Sequence, residues 1–424
     1  MGPTKLSGAQ GRKRKKQQEA DNIVQAKQWQ KLGWVKKVDP STTALPLQQV
    51  SHLTGLKDAL QDIRDTGIDV ILDEASNICA ATSLEIDCFF EEKRAKKRKR
   101  LTLEETALQG WSLNTSRDVR HYVLPDNMTA LIPQPEICAA QIFLLVVICS
   151  AVANLEARAA IRDTWGSSPI VTNTSLGIKV AFLLGDTDNS TIQDQVDEEA
   201  AQYGDVIQEG FLDTYNNLTL KSVMLLKWVT TYCQTATPSY VMKTDDDMFV
   251  NVDNLYRLLR VRSVGTSLLV GSLICSARPI SDTRSKWYAP KYMYSGRIYP
   301  NYLSGTGYIM SGDTVGRLYR AALTIPLFHL EDVYVTGMVA RAAGIRPRDN
   351  PSFTYARRRL DPCLYRHPSV VTSHRLTPAE LRRIWGLMRS PDLDCTGFTA
   401  PTTSTRSPGK HKNVASVRKS NKCF

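Results

Sequence analysis

An α/β domain built on a largely parallel sheet is the fold predicted for the central part of this 424-residue chain. Three observations predict it. Short runs rich in Val, Ile, Leu and Phe alternate with helix-patterned segments between residues 141 and 385, the order that β-α-β units produce. The apolar runs are unbroken rather than alternating, so they read as strands buried on both faces. Two of them end in acids, KVAFLLGD at Asp186 and SYVMKTDDDMFVN at Asp245, Asp246 and Asp247. In open sheets of this kind, ligands sit beyond the carboxyl ends of the strands.

The elements follow in order. IFLLVVICSAV is the first strand. It lies in the longest uncharged window, 19 residues between Glu136 and Glu156, which length alone admits as a marginal membrane span. Its unbroken apolar part, residues 142–149, is only eight residues long, and that favours a core strand. NLEARAAIRDTWG is a helix ending near Gly166, and KVAFLLGD is the next strand. STIQDQVDEEAAQYGD is a polar helix and DVIQEGF a strand. TLKSVMLLKWVTTYC, residues 219–233, reads as a strongly amphipathic helix, and SYVMKTDDDMFVN as a strand running into acids. LTPAELRRIWGLM is a helix with Thr377 as cap, Pro378 at its first position and Glu380 completing a capping box.

The formal charge is +12, which taken alone suggests nucleic acid or an anionic surface. Its distribution argues otherwise. Residues 1–105 carry +4, residues 106–355 carry −2 and residues 356–424 carry +10. A basic groove needs its charge in the folded body, so nucleic acid is disfavoured as a partner. The nine cysteines are too few for a disulfide scaffold.

The acids carry the first chemical signal. In extended chain Asp245 and Asp247 project together while Asp246 faces away. Adjacent carboxylates repel unless a cation sits between them. Mn²⁺ or Mg²⁺, held by one or two carboxylates plus substrate phosphates, is the natural occupant, and a solvated acidic turn is the plain alternative. In HLEDVYVTG, Glu331 and Asp332 are either ordinary partners of a helix N-terminus or include a general base, Asp332. Arg158, Arg162 and Trp165, in RAAIRDTWG, follow the first strand, where arginines suit a diphosphate or serve as surface charge. Trp287 and Tyr288, with Gly305 and Gly307 in YPNYLSGTGY, suit stacking on sugars or fill a core. His374 is structural or a ligand for a Mn²⁺-like ion.

Together, RAAIRDTWG, EGFLDTYNNLTLK, YVMKTDDDMFVN, SKWY with YPNYLSGTGY, HLEDVYVTG and the late TSH resemble the β-1,3-galactosyltransferase / β-1,3-N-acetylglucosaminyltransferase family of inverting glycosyltransferases. The match covers roughly residues 140–395, in order. The resemblance implies the GT-A glycosyltransferase fold, an α/β Rossmann-like mixed sheet with helices on both faces. It implies a UDP-sugar donor held through Mn²⁺ (or Mg²⁺) by Asp245, Asp247 and His374, with Asp332 as the base. Arg158, Arg162, Trp165, Lys243 and Asp246 then fall on the UDP-sugar side. Trp287, Tyr288, Gly305, Gly307 and Glu331 fall on the acceptor side. Galactose is the expected sugar, N-acetylglucosamine the alternative, and the acceptor a glycan on a glycoprotein or glycolipid.

The resemblance also implies a type II Golgi membrane protein, yet residues 1–110 show no spanning helix. The domain plan is a basic disordered segment over 1–51, a helical segment over 52–105, a linker or stem over 106–137, the catalytic domain over 138–396 and a basic disordered tail over 397–424. Residues 52–105 are faintly similar to part of a hAT-type transposase, and a fused reading frame lacking the native anchor is the simplest account. The competing function is a nuclear DNA-associated protein led by residues 1–105, which contain KRAKKRKR. Five glycosylation sequons, at Asn114, Asn127, Asn173, Asn189 and Asn217, favour a luminal domain instead. Cys363 and Cys395 bracket the last helix and are able to pair there, and Cys149 reads as a buried thiol.

Overall fold

The computed structural model of the protein describes residues 107–261 and 266–399. The segments expected over 1–51 and 52–105, and nearly all of the tail, lie outside them. The strands are β1 Ala130–Ile132, β2 Leu144–Cys149, β3 Ile178–Asp186, β4 Val206–Leu212, β5 Tyr240–Asp245, β6 Phe249–Val250, β7 Leu269–Ile274, β8 Tyr302–Ser311, β9 Arg348–Asp349 and β10 Thr372–Ser373. Eight of them form a central sheet in the order β1-β4-β3-β2-β5-β8-β7-β9, and β6 and β10 form a separate pair. β4, β3, β2 and β5 run parallel. β8 is antiparallel to both β5 and β7, and β1 is antiparallel to β4. The sheet is therefore mixed, and only its first half fits a largely parallel reading.

The first apolar run behaves as a core strand. All six residues of β2 are buried. Leu145, Val147 and Cys149 join the apolar cluster on one face, while Leu144, Val146 and Ile148 join the cluster on the other. Burial on both faces explains why the run does not alternate. Among the described residues, no helix is long and apolar enough to cross a membrane.

The helix over Leu218–Tyr232 corrects the amphipathic reading. Residues 219–229 are all buried, including two lysines. Lys221 Nζ donates to the Ser150 carbonyl at 2.7 Å and to Asp213 Oδ2 at 2.8 Å. Lys227 Nζ donates to the carbonyls of Val123, Leu124 and Asn127 and to Thr129 Oγ1. Protein oxygens rather than water satisfy both heads, which is what permits the burial.

Residues 107–137 are not a stem. β1 pairs with β4, Trp111 is 2% exposed, and Cys138, just beyond, is bonded to Cys233. The one bridge expected from sequence, Cys363–Cys395, is present, and Cys149 is a buried free thiol. The helix Pro378–Met388 has the anticipated capping box.

One sequon is structurally closed. Asn114, Asn127, Asn173 and Asn189 are exposed, but Asn217 is buried and its Nδ2 donates to the Leu212 carbonyl at 2.9 Å. Thr219 of the same triplet is fully buried, bonded to the Phe328 carbonyl. In secreted protein, N-glycosidase treatment of single Asn→Gln variants is expected to show no glycan at Asn217. A mobility shift lost on Asn217→Gln overturns that assignment.

Candidate active site

β5 ends at Asp245, and the chain turns through Asp246 and Asp247 into the short strand β6. β10 pairs antiparallel with β6. That two-residue ladder delivers His374 to the acidic turn, with Nε2 3.2 Å from Asp247 Oδ2. Nδ1 of His374 lies 2.8 Å from the Tyr355 carbonyl. A carbonyl only accepts, so Nδ1 carries the hydrogen, and in the neutral ring the Nε2 lone pair faces Asp247. Burial pulls the imidazole pKa down, but Asp247 outweighs it and the net shift is upward. The backbone steps into the left-handed region at Arg375 (φ 61°), and Leu376 N–H donates to the Asp247 carbonyl at 3.0 Å, fixing the pair from behind.

The three acids have different neighbours. Asp245 Oδ1 accepts from Lys243 Nζ at 2.6 Å. Asp246 Oδ2 accepts from Ser150 Oγ at 2.7 Å and from Asn154 Nδ2 at 2.9 Å, and burial raises its pKa. Asp246 thus faces away from the His374 pair, toward the loop after β2. Among the described residues, no three His, Cys, Asp or Glu side chains gather closely enough to hold a metal alone. The paired Asp247 and His374, with the imidazole tautomer set by a carbonyl, are donors suited to a divalent ion whose other ligands come from phosphates.

The antiparallel half supplies the other wall. Lys243 is 3% exposed and also donates to the Gly305 carbonyl at 2.7 Å, with Glu331 Oε2 3.7 Å away. Burial works against its charge, yet Asp245 and Glu331 hold it well above the usual lysine value. Glu331 Oε1 accepts from Ser222 Oγ and from Tyr308 OH, both at 2.8 Å. Gly305 leaves the room this requires: a Cβ there stands 2.7 Å from Glu331 Oε2 and 3.3 Å from Asp332 Cβ.

Asp332 opens a seven-residue π-helical turn, Val333–Val339, and accepts from Val333 N–H at 2.9 Å. Such turns occur often at functional sites. Burial, reinforced by Glu331, pushes its carboxyl up to about 7, against the pull of Val333 N–H, Lys243 and Gly305. Tyr215, Tyr299 and Tyr302 also feel its charge, and all three phenols are held above their usual range, Tyr215 by partial desolvation of a ring that stays 48% exposed and by the acids beside it. A carboxyl poised near neutrality in a site of this kind is suited to taking a proton.

Several expected site residues are placed elsewhere. Arg158 is 1% exposed and donates to Glu199, Ser150 Oγ and the carbonyls of Ala151 and Val152. Arg162 pairs with Glu199 and Asp205 and lies over the rings of Phe182 and Tyr203. Neither guanidinium bonds the acidic turn directly, though Arg158 Nη1 reaches Asp246 through Ser150 Oγ. Trp165 is fully buried, its Nε1 donating to the Met248 carbonyl at 3.0 Å, so it braces the acidic turn from beneath. Lys243 and Glu331 are internal struts rather than surface contacts. Gly307 lies within the sheet opposite Thr244. Trp287 is 44% exposed with Lys286 Nζ 4.7 Å over its ring, and Tyr288 beside it is half-buried.

Sequence reasoning missed Ser150, Asn154, Asp213, Tyr215, Lys221 and Ser222. The two lysines inside an otherwise apolar helix were the available signal, since a charge in such a run needs a buried partner.

The galactosyltransferase family profile matches residues 156–351. Beta-1,3-galactosyltransferase 1 of Mus musculus is 41% identical over 270 residues, 63% of this chain and 80% of that protein. Beta-1,3-galactosyltransferase 5 of Homo sapiens is 36% identical, covering 67% of this chain and 91% of that protein. UDP-GlcNAc:betaGal beta-1,3-N-acetylglucosaminyltransferase 7 of Rattus norvegicus is 35% identical, covering 68% and 75%.

Proposed function

The chain belongs to the galactosyltransferase family, and on that premise we propose that it transfers galactose from UDP-galactose to the 3-hydroxyl of an acceptor glycan, with inversion. The observation that carries the site assignment is Asp332, whose carboxyl ionises at about 7 at the end of a wall shared with Asp245 through Lys243 and Glu331.

In this reading Asp332 accepts the proton of the acceptor hydroxyl as that oxygen attacks the anomeric carbon. The hydroxyl approaches from the face opposite the leaving diphosphate, so a single displacement turns an α-linked donor into a β-linked product. Asp247 and His374, with Asp245 beside them, would hold Mn²⁺ or Mg²⁺ together with the donor phosphates, and the ion would offset the charge of the departing diphosphate. Asp246, tied to Ser150 and Asn154, keeps the acidic turn in register. Tyr215 and Trp287 are both exposed, Tyr215 near enough to Asp332 to feel its charge, and the two rings offer faces for sugar stacking.

A donor panel of UDP-galactose, UDP-N-acetylglucosamine and UDP-N-acetylgalactosamine with simple β-glycosides tests the donor. UDP-galactose is expected to give the highest kcat/KM, about tenfold or more above the others. Preferential turnover of UDP-N-acetylglucosamine installs that sugar as the donor instead. The disulfides Cys138–Cys233 and Cys363–Cys395 and the four exposed sequons support a luminal, oxidising compartment, and we place the enzyme in the Golgi.

A further inference from the structure

Residues 275–301, between β7 and β8, contain no regular structure beyond the bridge Ile280–Tyr288. Loops of this length inside a compact domain are generally functional and need to be held. This one carries Trp287 and Tyr288; Tyr294 and Tyr299 pack it on Phe328, and the segment 108–117, part of the stretch that reads as a stem by sequence, ties it by hydrogen bonds. Tyr292 OH donates to the Trp111 carbonyl at 2.5 Å and accepts from Leu108 N–H at 3.0 Å. The Arg117 guanidinium donates to the carbonyls of Tyr292 at 3.2 Å and Met293 at 2.9 Å.

The same guanidinium reaches the segment leading to the base. Arg117 Nε donates to the Leu327 carbonyl at 2.7 Å, and Leu327 N–H returns a bond to the Arg117 carbonyl at 2.8 Å. Leu327 lies five residues before Asp332. A third tie reaches the Tyr215 segment: Trp111 Nε1 donates to the Asn216 carbonyl at 3.1 Å, and Asn216 Nδ2 donates to the Gln109 carbonyl at 2.9 Å. One strap therefore bonds the Trp287 loop, the Tyr215 segment and the approach to Asp332.

We propose that the strap 108–117 sets acceptor affinity, and that Arg117 is its main positioning residue, fixing the Trp287 loop relative to the turn that carries Asp332. Three charge-assisted bonds to carbonyls on two separate segments define a distance, which a neutral or shorter side chain does not reproduce. The inference rests on the transferase reading above and on Trp287 lying on the acceptor side.

The test uses the full chain with Arg117→Gln and Tyr292→Phe. The second keeps the ring and removes only the hydroxyl that bridges Leu108 and Trp111. Three quantities are read: the acceptor KM, UDP release from the donor without acceptor, and the melting temperature. We expect the acceptor KM to rise about tenfold in Arg117→Gln and about threefold in Tyr292→Phe, the range of one to two lost hydrogen bonds. UDP release without acceptor is expected to stay within about twofold. An unchanged acceptor KM, or a fall of both activities in proportion to lost folded protein, overturns the proposal. If Arg117→Gln does not fold, Tyr292→Phe decides. Wild-type protein that neither releases UDP nor transfers sugar overturns the transferase reading as well; active wild type matched by both variants overturns this inference alone.

Discussion

Replacing Asp332 with Asn lowers sugar transfer by about 10³-fold, roughly 4 kcal/mol of transition-state stabilisation, while leaving a folded protein. The amide keeps the shape and the bond from Val333 N–H but has no basicity for the acceptor proton. Wild-type kcat/KM is expected to rise with pH through about 7, where the Asp332 carboxyl ionises, and the residual rate of the variant is expected to lack that limb. The groups facing this carboxyl are Glu331, Lys243, Tyr215, Tyr299 and Tyr302, and the three phenols are raised further from neutrality.

The stability of the variant has a definite sign. In the folded enzyme Asp332 ionises near 7, and in the unfolded chain near the ordinary 3.8. Its contribution to stability is fully present below pH 3.8 and is lost as the pH rises through 7. Above 7 the buried carboxylate is a net cost that a neutral amide removes, so Asp332→Asn is expected to melt no lower than wild type at about pH 8. Calorimetry beside a transfer assay checks both parts. A variant that retains wild-type transfer excludes Asp332 as the base.

The second large effect is at Lys243. Lys243→Met keeps most of the length of the side chain but leaves Asp245 and Glu331 facing each other across a site without its cation. Removing one member of a buried ionic cluster costs about 3–5 kcal/mol, and urea unfolding is expected to show a loss of that order with transfer abolished. Adding Glu331→Gln should restore part of the stability, because it removes one of the two stranded charges, and a double-mutant cycle measures that coupling. If Lys243→Met unfolds like wild type and raises only the donor KM, the lysine is a donor contact and not a strut.

How much of this was legible varies with where each residue's partners lie. The strands were readable because burial on both faces leaves an unbroken apolar run, as in β2. The acidic turn was readable because three successive carboxylates at a strand end repel one another and call for a cation nearby. Arg158 and Arg162 misled because their acids, Glu199 and Asp205, sit 37 to 43 residues away, in and just after a helix that looks merely polar. The helix 218–232 misled similarly. Lys221 and Lys227 mark a wet face by pattern, yet each finds carbonyls 71 to 104 residues distant. Residues 107–137 looked like a stem because local signals, prolines and sequons, are all that sequence reveals of a segment whose bonds are remote.

Those remote bonds also order the assembly of the domain. The parallel strands β4, β3, β2 and β5 are complete once residue 245 has been made; β3 pairs with its chain neighbours β2 and β4, and β5 reaches back to β2. Arg117 must wait for Tyr292, Met293 and Leu327, contacts spanning 175, 176 and 210 residues. Long-range contacts of this kind form late. On the ribosome the half bearing the acidic turn is thus able to set while the strap, synthesised before any of it, waits for the other end of the domain to emerge. A chain stalled between residues 261 and 292 would hold the one without the other, with the bond from Tyr292 to the Trp111 carbonyl still unmade.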